Sequence, residues 1–173
     1  PLGTRYASPA MQRLWGEPHR IGLWRRVWLA LAESERELGL EIPEAALAAM
    51  RQHLDDADLV QAAEYEKRFR HDVMAHVHTF GDQAPAAKPI IHLGATSAFV
   101  TDNADVLVVK AGLELLLGRL LEVLGKLERF AREHHTRPCL AYTHFQPAQL
   151  TTVGKRATLW MQDFALDVEE LVH

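Results

Sequence analysis

Apolar residues recur every three or four positions through most of the chain, which is the spacing of amphipathic α-helices. The pattern predicts helices at about residues 9–16, 19–38, 43–53, 56–68, 71–80, 102–134 and 148–173. Ser8-Pro9 is typical of a helix start, and Gly39 of a left-handed helix end. Asp55 or Asp56 is expected to cap the helix that runs toward Arg68. Because no convincing strand-like alternation is present, the sequence predicts an all-α fold.

The character of the helices changes along the chain. Pro85, Pro89 and Gly94 break the pattern, and the helix that follows would be about 50 Å long at ~1.5 Å per residue. Such a helix exceeds what a domain of this size needs and is typical of a bundle shared between chains. We therefore predict a small N-terminal helical domain, residues 1–96, and the start of a long-helix bundle domain, residues 97–173. The last helix shows no end signal at His173, so we expect this bundle to be truncated.

Composition narrows the possible functions. The 173 residues carry a formal net charge of −4, which argues against a general nucleic-acid binder but leaves acidic small molecules possible. No apolar run is long enough to cross a bilayer, and the N-terminus lacks a signal-peptide layout, so no membrane partner is expected. Cys139 is the only cysteine, which favours a reducing, cytoplasmic compartment.

The stretch Thr143–Arg156 is the first candidate site. It places Thr143, His144 and Gln146 where one helix pattern has ended and the next is about to begin. Backbone N–H groups and the positive end of a helix dipole can bind an anion there, and an imidazole can transfer a proton near neutral pH. The alternative is a polar loop with a chance histidine.

Arg70-His71-Asp72 is a second candidate, for an anion-and-proton site in which Asp72 caps a helix or orients an imidazole. The alternative is a basic flank followed by partly buried histidines. His71 and His78 share a helix face two turns apart, whereas His76 lies on another side, so no metal site is expected from these three histidines.

Two further stretches offer binding groups. In Ile91–Ser97, a bend at Gly94 precedes the hydroxyls of Thr96 and Ser97, which suit a carboxylate. Helix capping, with Asp102 and Asn103 as caps, is the alternative, but it does not account for His92 beside paired hydroxyls. Near the N-terminus, Arg5 and Tyr6 could bind a phosphate or carboxylate, unless they belong to an uninvolved terminal arm.

Taken in this order, the four stretches resemble the fumarase/aspartase superfamily, and within it they look like the adenylosuccinate lyase family. The resemblance extends over essentially the whole chain. The stretches that carry it are Arg5–Pro9, Arg70–His78, Ile91–Ser97 and Thr143–Thr152.

The resemblance implies an enzyme of purine nucleotide biosynthesis. Its reaction would be a β-elimination that releases fumarate from adenylosuccinate, leaving AMP, and from SAICAR, leaving AICAR. By the same resemblance His144 would donate the proton to the departing nitrogen, and His71 would support catalysis. The family uses no metal and no organic cofactor.

The resemblance also implies how substrate is held. Arg5 and Tyr6 would bind the nucleotide phosphate, Arg70 and Asp72 would line the nucleotide pocket, and Thr96-Ser97 would hold the succinyl part. Family members are homotetramers whose sites combine three subunits. Their serine base lies on a loop that this sequence lacks, so we expect the 173-residue chain alone to be inactive.

Two alternative interpretations stay open from the sequence. One is a sibling lyase of the same superfamily, of the argininosuccinate lyase or carboxymuconate cycloisomerase type. The other is a non-catalytic helical module whose long helix serves assembly.

Overall fold

The computed structural model describes residues 2–173, which form two compact units, one up to Ala111 and one from Gly112 to His173. The predicted all-α fold is confirmed, with one two-stranded hairpin added. The helices are α1 Pro9–Leu14, α2 Glu17–Glu37, α3 Glu44–Gln52, α4 Leu59–Phe69, α5 Asp72–Gln83, α6 Ser97–Glu133 and α7 Val153–Val172. The domain boundary between residues 96 and 97 stays a prediction.

Two shorter helical turns complete the first unit: a π-type turn at Leu2–Tyr6 and a 3-10 turn at Pro85–Ala87. Ser8 caps α1 as predicted, because its hydroxyl accepts the N–H of Met11 over 3.2 Å. Gly39 follows α2 with φ 99°, which is the predicted left-handed helix end.

Two predicted helix starts in the first unit are wrong. Asp58, and not Asp55 or Asp56, caps α4 by accepting the N–H of Gln61 over 2.9 Å. The two earlier aspartates form ion pairs with arginines of α2 instead. The start of α6 lies at Ser97, because no helix breaker follows Gly94; Asn103 is therefore inside α6, where its amide donates to the Phe99 carbonyl.

The first unit has a core of its own. The apolar faces of α2, α3 and α5 meet there, and the first part of α6 adds Val100 and Ala104. Burial of large aromatic and aliphatic side chains is the main favourable term in folding such a unit. Its largest wholly buried apolar side chains are Trp24, Trp28, Phe80, Leu47, Met50 and Val73.

One charged residue lies inside this core. Arg25 is 0% exposed, and its guanidinium donates to the His53 carbonyl, to the Asp56 carboxylate over 3.2 Å and to the Gln83 amide oxygen over 2.5 Å. The same group lies 4.6 Å from the centre of the Phe80 ring. Since buried charges need such partners, Arg25 ties the α3–α4 connection and the end of α5 to α2.

His76 is the buried histidine of the same core. Its ring packs edge-on against Trp24, and its Nδ1 has no hydrogen-bond partner among residues 2–173. The pKa of His76 is lowered from 6.5 to about 4, chiefly by burial and also by the positive charges of Arg25 and Arg20, against an opposing effect of Asp72. His76 is therefore neutral in the folded protein at neutral pH.

The second unit contains an antiparallel hairpin that the sequence pattern did not predict. Strand β1 covers Pro138–Thr143 and strand β2 covers Gln146–Thr152. Their register runs from Pro138 opposite Thr152 to Thr143 opposite Gln146, with a bulge in β2 opposite Ala141. The pattern failed because both strands are polar and largely exposed, so neither has an alternating apolar face.

Helix α7 begins at Val153, and not near Ala148 as predicted. The Thr152 hydroxyl caps it by accepting the N–H of Lys155 over 3.1 Å. Gly154 lies against the end of α6, where a Cβ atom would come 2.3 Å from the Ala131 carbonyl oxygen. The approach of the two helices at this point therefore requires a glycine.

Many large apolar side chains of the second unit are exposed. Leu116 is 49% exposed on α6 and Trp160 is 55% exposed on α7. The other exposed apolar residues of this unit's helices are Leu113, Leu121, Val123, Phe130, Leu159, Leu166 and Val172. None of the helices described between residues 2 and 173 is long and apolar enough to span a membrane.

Candidate active site

His71 joins α4 to α5. The preceding Arg70 ends α4 in a left-handed conformation (φ 54°, ψ 39°), and His71 is extended. The imidazole itself caps α5, because Nδ1 accepts the N–H of Met74 over 3.4 Å. Asp72, the predicted cap, accepts the N–H of Val73 over 2.8 Å and lies 3.5 Å from His71 Nδ1. Both residues thus stabilise the start of α5.

The structure brings His71 and Ser97 together, although 26 residues separate them. Nε2 of His71 lies 3.3 Å from Oγ of Ser97. Since Nδ1 accepts a backbone N–H, the proton of the neutral ring is on Nε2 and can be donated to the serine oxygen. The two residues form a hydrogen-bonded imidazole–hydroxyl pair on an accessible surface.

The surroundings of this pair favour the binding of an anion. The N-termini of α5 and α6 both begin here, at His71-Asp72 and at Ser97, and helix N-termini carry partial positive charge. Thr96 directly precedes α6 with its side chain exposed, and its carbonyl accepts the N–H of Phe99 over 3.0 Å. The exposed Arg70 forms no ion pair with any described residue.

His92 is a residue of this region for which the sequence pattern predicts no specific role. It has φ 67°, a conformation uncommon for any residue but glycine and costing about 1–3 kcal/mol. The indole N–H of Trp28 donates to its Nδ1 over 3.0 Å. Burial lowers the pKa of His92, and the charge of nearby His71 lowers it further. The only sequence signal was a histidine directly before a glycine bend and two hydroxyls.

Arg5 and Tyr6 form no hydrogen bond with this pair among the described residues. Both are exposed in the turn Leu2–Tyr6, and the Arg5 guanidinium is 5.5 Å from the centre of the Tyr6 ring. Among residues 2–173, no hydrogen bond or ion pair joins Arg5 or Tyr6 to His71, Ser97 or Arg70. Their predicted role in binding phosphate therefore stays a prediction.

His144 belongs to the second unit and lies at the tip of the hairpin. The predicted position at the mouth of a helix is wrong, because β2 separates His144 from the start of α7 at Val153. His144 and Phe145 form the two-residue turn, with φ 50° and 60°. The imidazole is exposed to solvent, and Phe145 is fully exposed beside it.

The backbone of this turn is strained. Two-residue hairpin turns with both φ values positive normally contain Asn-Gly or Asp-Gly, whereas here both positions carry large rings. Each left-handed non-glycine residue costs about 1–3 kcal/mol, and such strain is concentrated at functional sites. The conformation favours a functional role for the His144-Phe145 tip over a chance histidine in a loop.

These groups suit proton transfer and anion binding. His71 and Ser97 form one hydrogen-bonded pair, and His144 offers a second, accessible imidazole. Across residues 2–173 no group of three or more histidine, cysteine or acidic side chains is placed to hold a metal ion.

Comparison with known proteins shows which proteins this chain is similar to. No protein-family model matches it. Its sequence is 48% identical over 171 residues to the adenylosuccinate lyase of Saccharomyces cerevisiae, covering 97% of this chain and 36% of the yeast protein. It is 47% identical over 175 residues to that of Schizosaccharomyces pombe, covering 99% of this chain and 36% of the relative. The chain thus spans about a third of the length of the curated relatives it matches.

The fold is similar to that of a solved relative. A crystal structure of a fumarate lyase from Mesorhizobium sp. BNC1 superposes with a TM-score of 0.86 at 27% identity, over 95% of this chain and 39% of that protein. The predicted resemblance to the adenylosuccinate lyase family is therefore confirmed over nearly the whole chain, and it concerns about a third of the length of that family's proteins.

Proposed function

We propose that this chain supplies part of the active site of a carbon–nitrogen lyase that cleaves adenylosuccinate to AMP and fumarate, and SAICAR to AICAR and fumarate. The observation that carries the proposal is the 48% identity to an adenylosuccinate lyase over 97% of the chain. The 47% identical match to the Schizosaccharomyces pombe enzyme extends over 99% of the chain.

The reaction needs a group that protonates the departing nitrogen, and His144 is our candidate for it. Its support is an accessible imidazole at the tip of a hairpin whose backbone is strained at both turn residues. An imidazole can give up a proton near neutral pH, and a positioned general acid accelerates such reactions by about 10²–10⁴-fold.

His71 would support catalysis through its hydrogen bond with Ser97. Thr96 and Ser97 would hold the succinyl carboxylates at the start of α6, where the helix dipole favours negative charge. Arg70 and Asp72 would line the nucleotide pocket, and Arg5 with Tyr6 would bind the phosphate. The exposure of the two arginines is what leaves their guanidinium groups available for such contacts.

Self-association, as a homotetramer, is part of the same proposal. Its support is the exposed apolar surface of the second unit, formed by residues such as Leu116 and Trp160. Exposed apolar surface of this kind marks interaction sites in proteins. We place the enzyme in the cytoplasm, in keeping with a single cysteine and a role in purine nucleotide synthesis.

A chimera tests the proposal. This chain replaces the matching 171 residues of the Saccharomyces cerevisiae enzyme, and fumarate release from adenylosuccinate is followed by absorbance. We expect turnover, and we expect His144→Ala to lower kcat by about 10²–10⁴-fold with a smaller change in KM. Argininosuccinate and 3-carboxy-cis,cis-muconate derivatives serve as competing substrates.

The matched control is His135→Ala, since His135 is an exposed histidine of the same unit that lies outside the hairpin. It should leave kcat within about twofold, because a surface substitution away from the site has little effect. A folded chimera that turns over a competing substrate and not adenylosuccinate would contradict the proposed substrate. Equal losses in the two histidine variants would contradict the role of His144.

A further inference from the structure

The two buried tryptophans of α2 differ in one respect. Trp24 and Trp28 lie one helical turn apart and are 1% and 0% exposed. The indole N–H of Trp28 donates to Nδ1 of His92 over 3.0 Å, whereas that of Trp24 has no hydrogen-bond partner among residues 2–173. The ring planes of Trp28 and His92 are nearly perpendicular, at 86°. Of the two indoles, only that of Trp28 therefore forms a hydrogen bond with a residue of the candidate site.

This hydrogen bond fixes the proton on the imidazole. An indole nitrogen can only donate, so Nδ1 of His92 must be the acceptor and the proton of the neutral ring must be on Nε2. A charged ring would carry a second N–H on Nδ1, directed at the indole N–H, and two donors repel. No described residue accepts a hydrogen bond from Nε2 of His92. Nδ1 of the ring is thus occupied by Trp28, and the N–H at Nε2 remains available to donate to a ligand.

We propose that Trp28 is a positioning residue, which holds His92 as a neutral ring whose Nε2–H is available to an anionic substrate near His71. The proposal rests on the proposed function for the identity of that substrate. His92 is half-buried, its left-handed backbone is held in place beside Trp28, and His71 is close enough to influence its charge. A donor fixed in advance needs no reorganisation when the substrate binds.

The first test uses the ¹⁵N-labelled chain without substrate. We expect a scalar coupling across the N–H···N hydrogen bond between Nε1 of Trp28 and Nδ1 of His92. In Trp28→Phe, His92 should titrate about one pH unit higher, because the lost bond favoured the neutral ring by roughly tenfold. Trp24→Phe is the matched control, since it removes a buried indole of the same helix but no hydrogen bond, and it should leave the titration unchanged.

A missing coupling, or equal titration shifts in both variants, would overturn the proposal. If Trp28→Phe does not fold, benzothienylalanine at position 28 keeps the bicyclic shape and replaces the N–H by sulfur, and the same titration shift is required. These measurements need no activity, so they decide the role of Trp28 even if adenylosuccinate is not the substrate.

The second test measures the chimera. Trp28→Phe should lower kcat/KM for adenylosuccinate about tenfold and move the acidic limb of its pH profile upward, whereas Trp24→Phe should stay within about twofold. Identical pH profiles for the two variants would overturn the link between Trp28 and substrate binding. Absence of turnover in every chimera, with the hydrogen bond intact, would instead count against the proposed function alone.

Discussion

The two units of this chain use similar amphipathic helices with opposite results. In the first unit, Trp28 and Phe80 are 0% exposed and the apolar faces of several helices cover one another. In the second unit, Leu116 is 49% and Trp160 55% exposed. An apolar helix face predicts that the face is buried against other protein surface. It does not predict whether that surface belongs to the same unit.

The candidate residues follow the same division. His71 and Ser97 are fixed by hydrogen bonds in a unit that has its own core. His144 lies on an exposed hairpin in a unit that lacks one. The first group is therefore preorganised within this chain, whereas the position of His144 depends on a strained two-residue turn.

Amide hydrogen exchange gives the largest expected contrast. In the monomeric chain, amides of α2 and α5 should exchange on the order of a thousandfold more slowly than those of the second half of α7, a difference of about 4 kcal/mol in opening free energy. The reason is that α7 buries only Gly154 and Ala157. Mass spectrometry of deuterated peptides measures this. Equal protection of α2 and α7 at concentrations where the chain is monomeric would contradict the inferred difference in stability between the two units.

Acid sensitivity should come from the core of the first unit. His76 has its pKa lowered to about 4 when folded, so the unfolded chain, with a pKa near 6.5, binds the proton first as pH falls. The free energy of unfolding should therefore show no loss from His76 above about pH 6.5. It should fall between about pH 6.5 and pH 4, by at most about 3 kcal/mol at ~1.4 kcal/mol per pKa unit. Urea unfolding at successive pH values measures the loss.

Two variants isolate this effect. His76→Leu should flatten the pH dependence of the free energy of unfolding, because leucine binds no proton in the unfolded chain. His78→Gln, at the half-buried histidine two residues further along α5, should leave the dependence in place. If both variants flatten it equally, the acid sensitivity does not come from His76.

Glycine substitutions probe the second unit. Gly154→Ala should destabilise it by about 2 kcal/mol, because the new Cβ meets the backbone of α6 and the helices must separate. Gly118→Ala, within α6 and with no atom within 4 Å of the added Cβ, should stabilise its helix by about 1 kcal/mol. Thermal unfolding followed by circular dichroism measures both, and a neutral Gly154→Ala would show that the contact is not needed.

Most helices were predictable because each has an apolar stripe and a recognisable start or end. Ser8 and Gly39 marked their termini correctly. The cap of α4 was misassigned because Asp55, Asp56 and Asp58 all suit an N-cap, and only the ion pairs with Arg25 and Arg26 show which two are engaged elsewhere.

The hairpin could not be predicted for two physical reasons. Its strands have no buried face, so the period-two pattern is missing, and its turn is His144-Phe145 where a glycine or asparagine would signal a left-handed turn. The pairing of His71 with Ser97 and of Trp28 with His92 joins residues far apart in sequence. Such contacts depend on the tertiary arrangement of helices, which spacing along the chain does not encode.

The different burial of the four tryptophans affects the intrinsic fluorescence of the protein. Trp24 and Trp28 are buried in the first unit, whereas Trp15 and Trp160 are 57% and 55% exposed. A red shift of intrinsic fluorescence on denaturation would therefore report almost entirely on the first unit. Loss of structure around α7 would change the emission little, because Trp160 is already in contact with water.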